Sequence, residues 1–403
     1  MYLSLLLHLY QPPTQDLKVT KRITQESYKK ILWILEKTGG KINLNLPASL
    51  TLQLKKLKEE DFFKRLRHLS KKNQIEFCQT AAFHPLLPRL PEKEIIRQII
   101  LNREINECLI GKDFYRPRGF FPPEMAYSNQ LKRVLIDLGV EYVVLDQHSS
   151  PLGVKNEPYE LLFYTNKHTD TKNNNVYKKV SDTKNIPNKN LGIFFRDENL
   201  SIKIAYSDIK SIDEFNLELN KYYRKADQYI VMAMDGETFG HHQPGQDDLL
   251  FDILNNRKKY FVFVSEIEKY IRIKREIEPR ISSWAVSDAN MRKKIYWPEW
   301  SYPGNKIHSL QWGLTRLAFI NGGDKVNQWK TSQALHSDQY WWASNRPYWN
   351  PGMVKKGAWM LYESIRSNKV NTKIIKNRAK RIYQQVIDLV GGEEERVEFL
   401  PRP

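Results

Sequence analysis

Seven short apolar segments, separated by longer amphipathic ones, constrain the fold of this chain more than any other feature of its sequence. The segments cover residues 3–8, 42–46, 75–80, 119–121, 142–146, 192–196 and 229–235. Most of the intervals between them carry the 3.6-residue periodicity of a helix. Strands that alternate with helices predict seven βα units around a parallel sheet. A chain of 403 residues, 41% of them hydrophobic, can bury the core of such an α/β barrel and that of a smaller appended domain.

The strand pattern stops near residue 270, and helical periodicity follows. We predict helices over residues 309–321, 330–344, 357–367 and 373–390. The expected division is therefore a catalytic barrel over residues 1–270 and a helical domain over residues 271–403. Residues 165–190 are rich in Asn, Lys and Thr and have few large apolar side chains, which predicts a long polar surface loop.

Two carboxylates follow predicted strands without a neighbouring Lys or Arg. Glu124 ends the stretch Gly-Phe-Phe-Pro-Pro-Glu, and Asp235 opens the stretch Asp-Gly-Glu-Thr-Phe-Gly-His-His. The carboxyl ends of parallel strands meet at one edge of a barrel, so both acids are expected at the mouth of one site. Two carboxylates delivered in this way suggest glycosidic chemistry. The alternative is a purely structural role, in which the prolines only end a strand and Glu124 lies in the first turn of a helix.

The glycines after Asp235 allow a sharp bend that would bring Glu237 and His241 to the same mouth. A metal site is the competing interpretation, with His8, His84, Asp235 and His241 as nitrogen and oxygen ligands. No local His pair with ligand spacing supports that set. We therefore favour two carboxylates that act without a metal or another cofactor.

Tryptophan is concentrated in the last third of the chain, where nine of the ten lie after residue 280. Most of these rings are expected to fill the core. The exceptions are Trp341 and Trp342, because residues 336–342 mix polar groups such as Asp338 with aromatic rings on one predicted helix. That mixture is typical of a sugar subsite, so the helical domain is expected to contribute aromatic residues to the site.

The formal charge of +18 raises the question of nucleic-acid binding. Lys and Arg are spread along the chain and accompany no nucleic-acid motif, so we expect a solvated basic surface and no specific nucleic-acid partner. The longest apolar run, residues 229–234, is far shorter than the roughly 20 residues of a membrane span. The N-terminus lacks the pattern of a secretion signal, and a cytoplasmic location is expected.

Four ordered motifs carry a family resemblance. They are His8-Leu9-Tyr10-Gln11-Pro12, Phe83-His84-Pro85-Leu86-Leu87-Pro88, Phe121-Pro122-Pro123-Glu124 and Met234-Asp235-Gly236-Glu237-Thr238-Phe239-Gly240. In sequence and order they resemble glycoside hydrolase family 57, closely over residues 1–250. Ser337-Asp338-Gln339-Tyr340-Trp341-Trp342 looks like a fifth motif of the same family.

The resemblance implies a (β/α)7 barrel followed by a helical region, acting on α-glucans with retention of configuration and without a redox cofactor. It makes Glu124 the nucleophile and Asp235 the general acid/base. It also implies that Tyr10, Gln11 and His84 line the subsite of the attacked sugar, and His8 matches an earlier position of the first motif, where it is expected to bind substrate as well. The chain departs from the family at Tyr10, which stands where the first motif has an imidazole, and this exchange can alter the preferred sugar or linkage.

The sequence is compatible with several functions. The favoured one is an α-amylase-like hydrolase whose partner is an oligo- or polysaccharide. A 4-α-glucanotransferase or a branching enzyme would use the same carboxylates with a sugar hydroxyl in place of water. A carbohydrate-binding protein without turnover is the alternative of another class, and a metal-dependent deacetylase on a related barrel is a third.

Overall fold

The computed structural model of the protein describes residues 1–152, 160–166, 178–179, 190–222, 227–345 and 349–403. The strands of these residues form one sheet. They are β1 Tyr2–His8, β2 Ile42–Asn45, β3 Ile75–Gln79, β4 Gly119–Phe120, β5 Tyr142–Leu145, β6 Leu161–Thr165, β7 Lys178–Lys179, β8 Leu191–Phe195, β9 Tyr229–Asp235 and β10 Ile273–Glu276. All seven strands predicted from the apolar segments are confirmed, with ends that differ by one residue at most.

These seven strands run parallel in the order β8-β5-β4-β3-β2-β1-β9. The sheet curls so far that its two edges meet, because Arg196 after β8 forms a parallel bridge with Val231 of β9. The amide of Asp197 donates to the carbonyl of Val231 at 2.7 Å across the same seam. The fold is thus mixed α/β around a curled parallel sheet, and the carboxyl ends of the strands surround one mouth.

Three further strands extend the sheet beyond β8. β6 lies antiparallel to β8, β10 lies parallel to β6, and β7 lies antiparallel to β10. The prediction that strands stop near residue 270 is therefore wrong. β10 reads Ile-Lys-Arg-Glu and is only partly buried, so it lacks the apolar pattern that marks the inner strands. Most of the polar loop predicted over residues 165–190 lies outside the described residues.

The helices of the first two thirds of the chain cover the sheet. They are α1 Leu17–Ile23, α2 Lys29–Thr38, α3 Ala48–Lys56, α4 Glu60–Lys71, α5 Glu92–Ile110, α6 Asn129–Asp137, α7 Glu198–Ala205, α8 Ile212–Asn220 and α9 Gln246–Arg257, with a π-helical turn at Thr24–Tyr28 between α1 and α2. α2 is typical, because its buried residues Ile31, Ile34 and Leu35 recur at helical spacing and pack into the core that includes the inner strands. Each such side chain stabilises the fold by about 1.5–3 kcal/mol.

The remaining helices follow β10. They are α10 Asp288–Arg292, α11 Lys306–Ala318, α12 Lys325–Ala334, α13 Asp338–Trp341, α14 Pro351–Ser367 and α15 Lys373–Val390. Their apolar faces share one core cluster with strands β4, β5 and β8. Trp300, Trp312 and Trp329 are buried, as expected of core tryptophans. No helix among the described residues has the length and apolar character needed to cross a membrane.

The single helix predicted over residues 330–344 is wrong, because the chain forms α12 and α13 with a break between them. At the break, His336 forms an antiparallel bridge with Pro85, which follows β3. The Ser337 amide donates to the carbonyl of His84 at 2.9 Å. These contacts compete with helix formation and hold the break against the mouth of the sheet.

Candidate active site

The strand register brings the first site residues together. The last residues of three adjacent strands lie side by side, because His8 of β1 pairs with Asn45 of β2 on one side and with Asp235 of β9 on the other. Tyr10 and Gln11 follow β1 directly, and His84 follows β3. The prediction that polar side chains gather at the carboxyl ends of the strands is confirmed for these residues.

Glu124 is held in an unusual backbone conformation. It lies in a 3₁₀ turn after Pro122 with φ 60° and ψ 16°, in the left-handed region, and Met125 has φ 47°. Such a conformation costs a non-glycine residue on the order of 1–2 kcal/mol, so it persists only where its surroundings impose it. The Trp284 amide donates to the Glu124 carbonyl at 3.1 Å. The Glu124 side chain is 90% buried.

A hydrogen-bond relay reaches the Glu124 carboxylate from the break between α12 and α13. Ser337 Oγ donates to Glu124 Oε1 at 2.6 Å and lies 3.0 Å from His84 Nδ1. Since the hydroxyl proton goes to the carboxylate, His84 Nδ1 is the donor to Ser337, which leaves His84 Nε2 as an acceptor. Burial raises the pKa of Glu124 well above its usual value, and the hydrogen bond from Ser337 opposes that rise.

Three stacked rings line the same mouth. The His84 ring lies 4.1 Å from that of Tyr10 and 4.8 Å from that of His8. Asn45 gives both its amide protons to backbone carbonyls, so its Oδ1 accepts from His8 Nδ1 at 2.6 Å. Burial lowers the pKa of His8 to about 4 and that of His84 well below its usual value. Both imidazoles are neutral at pH 7, and their buried Nε2 atoms have no hydrogen-bond partner among the described residues.

Asp235 sits at the end of β9 and is partly buried. Burial raises its pKa to about 6, the Arg196 guanidinium lowers it and Asp338 raises it. No side chain or amide of the described part of the chain donates a hydrogen bond to this carboxylate. Arg196 is itself fixed, because its Nε donates to Asp146 Oδ2 at 2.9 Å. Asp235 also acts on Glu124, because the charge of Asp235, like that of Asp338, raises the pKa of Glu124.

Glu237 is clamped beside Asp235. Its Oε1 accepts from the Tyr10 amide and from Gln11 Nε2, both at 3.2 Å, and from the Tyr28 hydroxyl. Burial, followed by the charge of Asp235, raises its pKa to about 8. The bend predicted after Asp235 is present, with φ 103° at Gly240.

The C-terminal part of the chain contributes two more carboxylates, Asp338 from α13 and Glu299 from the turn between α10 and α11. Asp338 Oδ2 accepts from the Tyr10 hydroxyl at 2.5 Å and from His336 Nδ1 at 3.3 Å. Glu299 Oε2 accepts from Trp341 Nε1 at 2.7 Å, and burial raises the pKa of Glu299 to about 7. Trp342 packs edge to face on Trp341, with ring centroids 4.5 Å apart.

His241 lies apart from this group, with its Nδ1 2.6 Å from Glu26 Oε2 on the π-helical turn. Within the described ranges, one group of three possible ligands has its atoms within 4.8 Å of each other, namely Asp146, His148 and Glu198. None of the four residues considered as a metal set belongs to it.

The sequence reasoning missed four residues of the site. Tyr28 and Ser337 hold carboxylates, Arg196 acts on Asp235, and Glu299 adds an acid. Glu299 carried a usable signal, because it stands between Trp297 and Trp300 without a cation beside it. The other three are ordinary residues whose part depends on contacts far away in the sequence.

Comparison with known proteins identifies the family of the chain. Residues 5–281 match glycosyl hydrolase family 57. The chain belongs to this family. An α-amylase 1 of Dictyoglomus thermophilum is 29% identical over 159 residues, 39% of this chain and 23% of that protein. An α-amylase of Pyrococcus horikoshii is 24% identical over 325 residues, 78% of this chain and 46% of that protein. This family 57 chain thus matches less than half the length of either relative.

Two solved structures of family 57 enzymes share the fold. The 4-α-glucanotransferase of Thermococcus litoralis superposes with a TM-score of 0.67 at 17% identity, covering 92% of this chain and 60% of that one. The family 57 branching enzyme of Pyrococcus horikoshii superposes with a TM-score of 0.62 at 14% identity, covering 100% and 99%. At these identities the likeness concerns the fold alone.

Proposed function

We propose that this family 57 protein is a retaining glycosidase that cleaves α-glucans, with its site on a (β/α)7 barrel completed by the C-terminal helices. The observation that carries the proposal is that Glu124 and Asp235, from distant parts of the chain, lie near one largely buried mouth, where the charge of Asp235 raises the pKa of Glu124. Retention requires two such carboxylates about 5 to 5.5 Å apart.

Hydrogen bonding supports the assignment of roles. Burial raises the pKa of both acids, so burial does not rank them. Ser337 donates to Glu124 and stabilises its ionised form, as a nucleophile needs, whereas Asp235 has no donor among the described residues and its pKa, raised to about 6, lets it carry a proton. In the first step a Glu124 oxygen attacks the anomeric carbon while Asp235 protonates the leaving oxygen. In the second step Asp235 takes a proton from water, which attacks the glycosyl-enzyme and releases Glu124.

The remaining groups suit a polyhydroxylated ligand. The buried Nε2 atoms of His8 and His84 are acceptors for sugar hydroxyls, and leaving such atoms unpaired is costly. The rings of Tyr10, Trp341 and Trp342 offer flat apolar surface for stacking on sugar faces. Gln11 and Glu237 form the floor of the mouth. We propose that His241 influences the site only through its contact with Glu26.

The test is product analysis with maltoheptaose, following both new reducing ends and the distribution of chain lengths. We expect new reducing ends from the wild type and their loss in Glu124→Gln and Asp235→Asn. Glu363→Gln is the matched control, because that buried carboxylate pairs with Arg366 on α14. Longer chains without new reducing ends would instead indicate a 4-α-glucanotransferase, and new branch points a branching enzyme. Sugar binding without turnover would indicate a carbohydrate-binding protein and would contradict the proposal.

Azide rescue assigns the two roles separately, using an aryl α-glucoside whose leaving group needs no acid. In Glu124→Ala, azide replaces the missing carboxylate as attacking anion and yields a glycosyl azide of inverted configuration. In Asp235→Ala, azide attacks the glycosyl-enzyme and yields a product of retained configuration. The reverse pattern would exchange the roles. Metal-dependent release of acetate from an acetylated sugar, without new reducing ends from maltoheptaose, would favour the deacetylase-like alternative.

A further inference from the structure

A second cluster of side chains lies at the carboxyl edge of the sheet, outside the sugar site. Asp146 follows β5, His148 lies two residues later, and Glu198 is the first residue of α7 after β8. Their side chains are 0%, 11% and 21% exposed. The loop and the helix are tied together, because the Glu198 amide donates to Gln147 Oε1 at 3.1 Å. The cluster is thus mostly buried and held by local backbone contacts.

We propose that Asp146, His148 and Glu198 bind a divalent transition-metal ion of the Zn²⁺ class. His148 Nδ1 lies 3.0 Å from Asp146 Oδ1 and 3.6 Å from Glu198 Oε2, and all three atoms lie within 4.8 Å of each other. Bonds of about 2.0–2.2 Å to a tetrahedral Zn²⁺ place its ligand atoms about 3.3 Å apart. The two observed separations lie on either side of that value. Three protein ligands leave the fourth position to water.

The charges of the cluster favour a cation. The Oδ2 atom of Asp146 accepts from Arg196, whereas Oδ1 accepts from the His148 amide at 2.9 Å and faces the His148 ring, so Oδ1 is the oxygen that would bind the metal with its remaining lone pair. Glu198 Oε2 lies 3.6 Å from His148 Nδ1, so the His148 ring nitrogen stands between the two carboxylates. A metal ion would displace the proton of the imidazole, take its place between the carboxylates and compensate their charge.

The surroundings also resemble the second layer of a metal site. Asp288 Oδ1 lies 3.8 Å from Nε2 of the His148 ring, so a carboxylate faces the nitrogen that the metal would not use. An open cavity of about 460 Å³ is lined by Gln147 and Glu198, so solvent reaches the Glu198 side of the cluster. The imidazole nitrogen selects against Ca²⁺ and Mg²⁺, which prefer oxygen ligands alone.

The experiment measures metal binding and not turnover, so its outcome is independent of the proposed glycosidase activity. The full chain is freed of metal by a chelator and dialysed against ZnCl₂, and bound zinc is counted per chain. CoCl₂ provides a second probe, because visible absorption reports its coordination. We expect one equivalent of Zn²⁺ and at least a tenfold weaker affinity in His148→Gln and in Glu198→Gln, since even outer partners of metal ligands cost about 10–100-fold.

His241→Gln is the matched control, because His241 contacts a single carboxylate, Glu26, and its variant is expected to bind zinc like the wild type. Far-UV circular dichroism and the unfolding temperature check that each variant folds. If His148→Gln does not fold, Glu198→Gln carries the test, since its side chain is the more exposed of the two. Less than one equivalent of zinc in the wild type, or unchanged affinity in the folded variants, would overturn the proposal and leave the cluster as an ion-pair network.

Discussion

Replacing Ser337 by Ala tests how the hydrogen bond from Ser337 favours the ionised form of Glu124, the proposed nucleophile. The substitution removes the hydroxyl that donates to Glu124 Oε1 at 2.6 Å. A hydrogen bond to a charged group contributes about 1.5–3 kcal/mol. One pKa unit corresponds to about 1.4 kcal/mol, so the loss should raise the pKa of Glu124 by about 1–2 units. A nucleophile must be ionised, and the activity that appears as pH rises through the pKa of Glu124 should therefore appear at higher pH in the variant.

The assay is the pH dependence of kcat/KM, which reports the groups of the free enzyme. We expect the acidic limb to move upward by about 1–2 units while the basic limb stays in place, so that the bell narrows and its maximum falls. Ser332→Ala is the matched control, because Ser332 is also fully buried and donates to a buried carboxylate, Glu94, away from the site. An acidic limb that does not move in Ser337→Ala, in a variant that folds, would refute the relay.

Two further predictions concern the charge beside the acid and the packing of the sheet. Arg196→Gln removes the cation that lowers the pKa of Asp235. Loss of the proton from Asp235, the proposed acid, near pH 6 sets the basic limb of the pH profile, so this limb should move up by about 1 unit in the variant. Arg196→Lys keeps the cation and should leave the basic limb nearly unmoved. Gly119→Ala places a Cβ 2.1 Å from the ring of Tyr142, and this ring cannot easily move away because the Tyr142 hydroxyl donates to Glu76. The substitution should lower the free energy of unfolding, measured by urea titration, by about 1–3 kcal/mol or more. Gly313→Ala on α11 meets only an ordinary contact at 3.6 Å and should raise stability by about 0.5–1 kcal/mol, and a stabilised Gly119→Ala would contradict the packing argument.

The inner sheet could be predicted from sequence because its strands are buried along nearly their whole length. β1 is apolar except for the buried Ser4, β9 is apolar from Tyr229 to Met234, and each strand ends at a polar residue of the candidate site. The position of His8, Glu124 and Asp235 at one mouth then follows from parallel pairing alone. β10 escaped prediction because its charged residues belong to the outer part of the sheet, where partial exposure removes the apolar pattern.

The contribution of the C-terminal helices to the site could not be predicted in the same way. Ser337 lies 213 residues from the carboxylate it contacts, and no local pattern encodes that distance. Residues 335–337 contain neither Gly nor Pro, so local propensity favours the continuous helix that we predicted. The bridge between His336 and Pro85 overrides that propensity, because it satisfies backbone groups at the break and delivers Ser337 and Asp338 to the mouth.

Tyr10, at the position where the sequence resemblance leads us to expect an imidazole, makes contacts that can be tested. Its ring stacks on His84, and its hydroxyl donates to Asp338 at 2.5 Å. Burial and the charge of Asp338 raise the pKa of Tyr10 well above its usual value, so it stays a neutral donor at every working pH, which an imidazole does not. Tyr10→Phe keeps the stacking and removes the donor, and it should lower kcat/KM for maltoheptaose by about 10–100-fold because Asp338 loses its shorter hydrogen bond. Tyr383→Phe, at a buried hydroxyl without a partner in the described structure, should leave kcat/KM unchanged. Equal effects of the two substitutions would mean that the ring of Tyr10, and not its hydroxyl, is what the site requires.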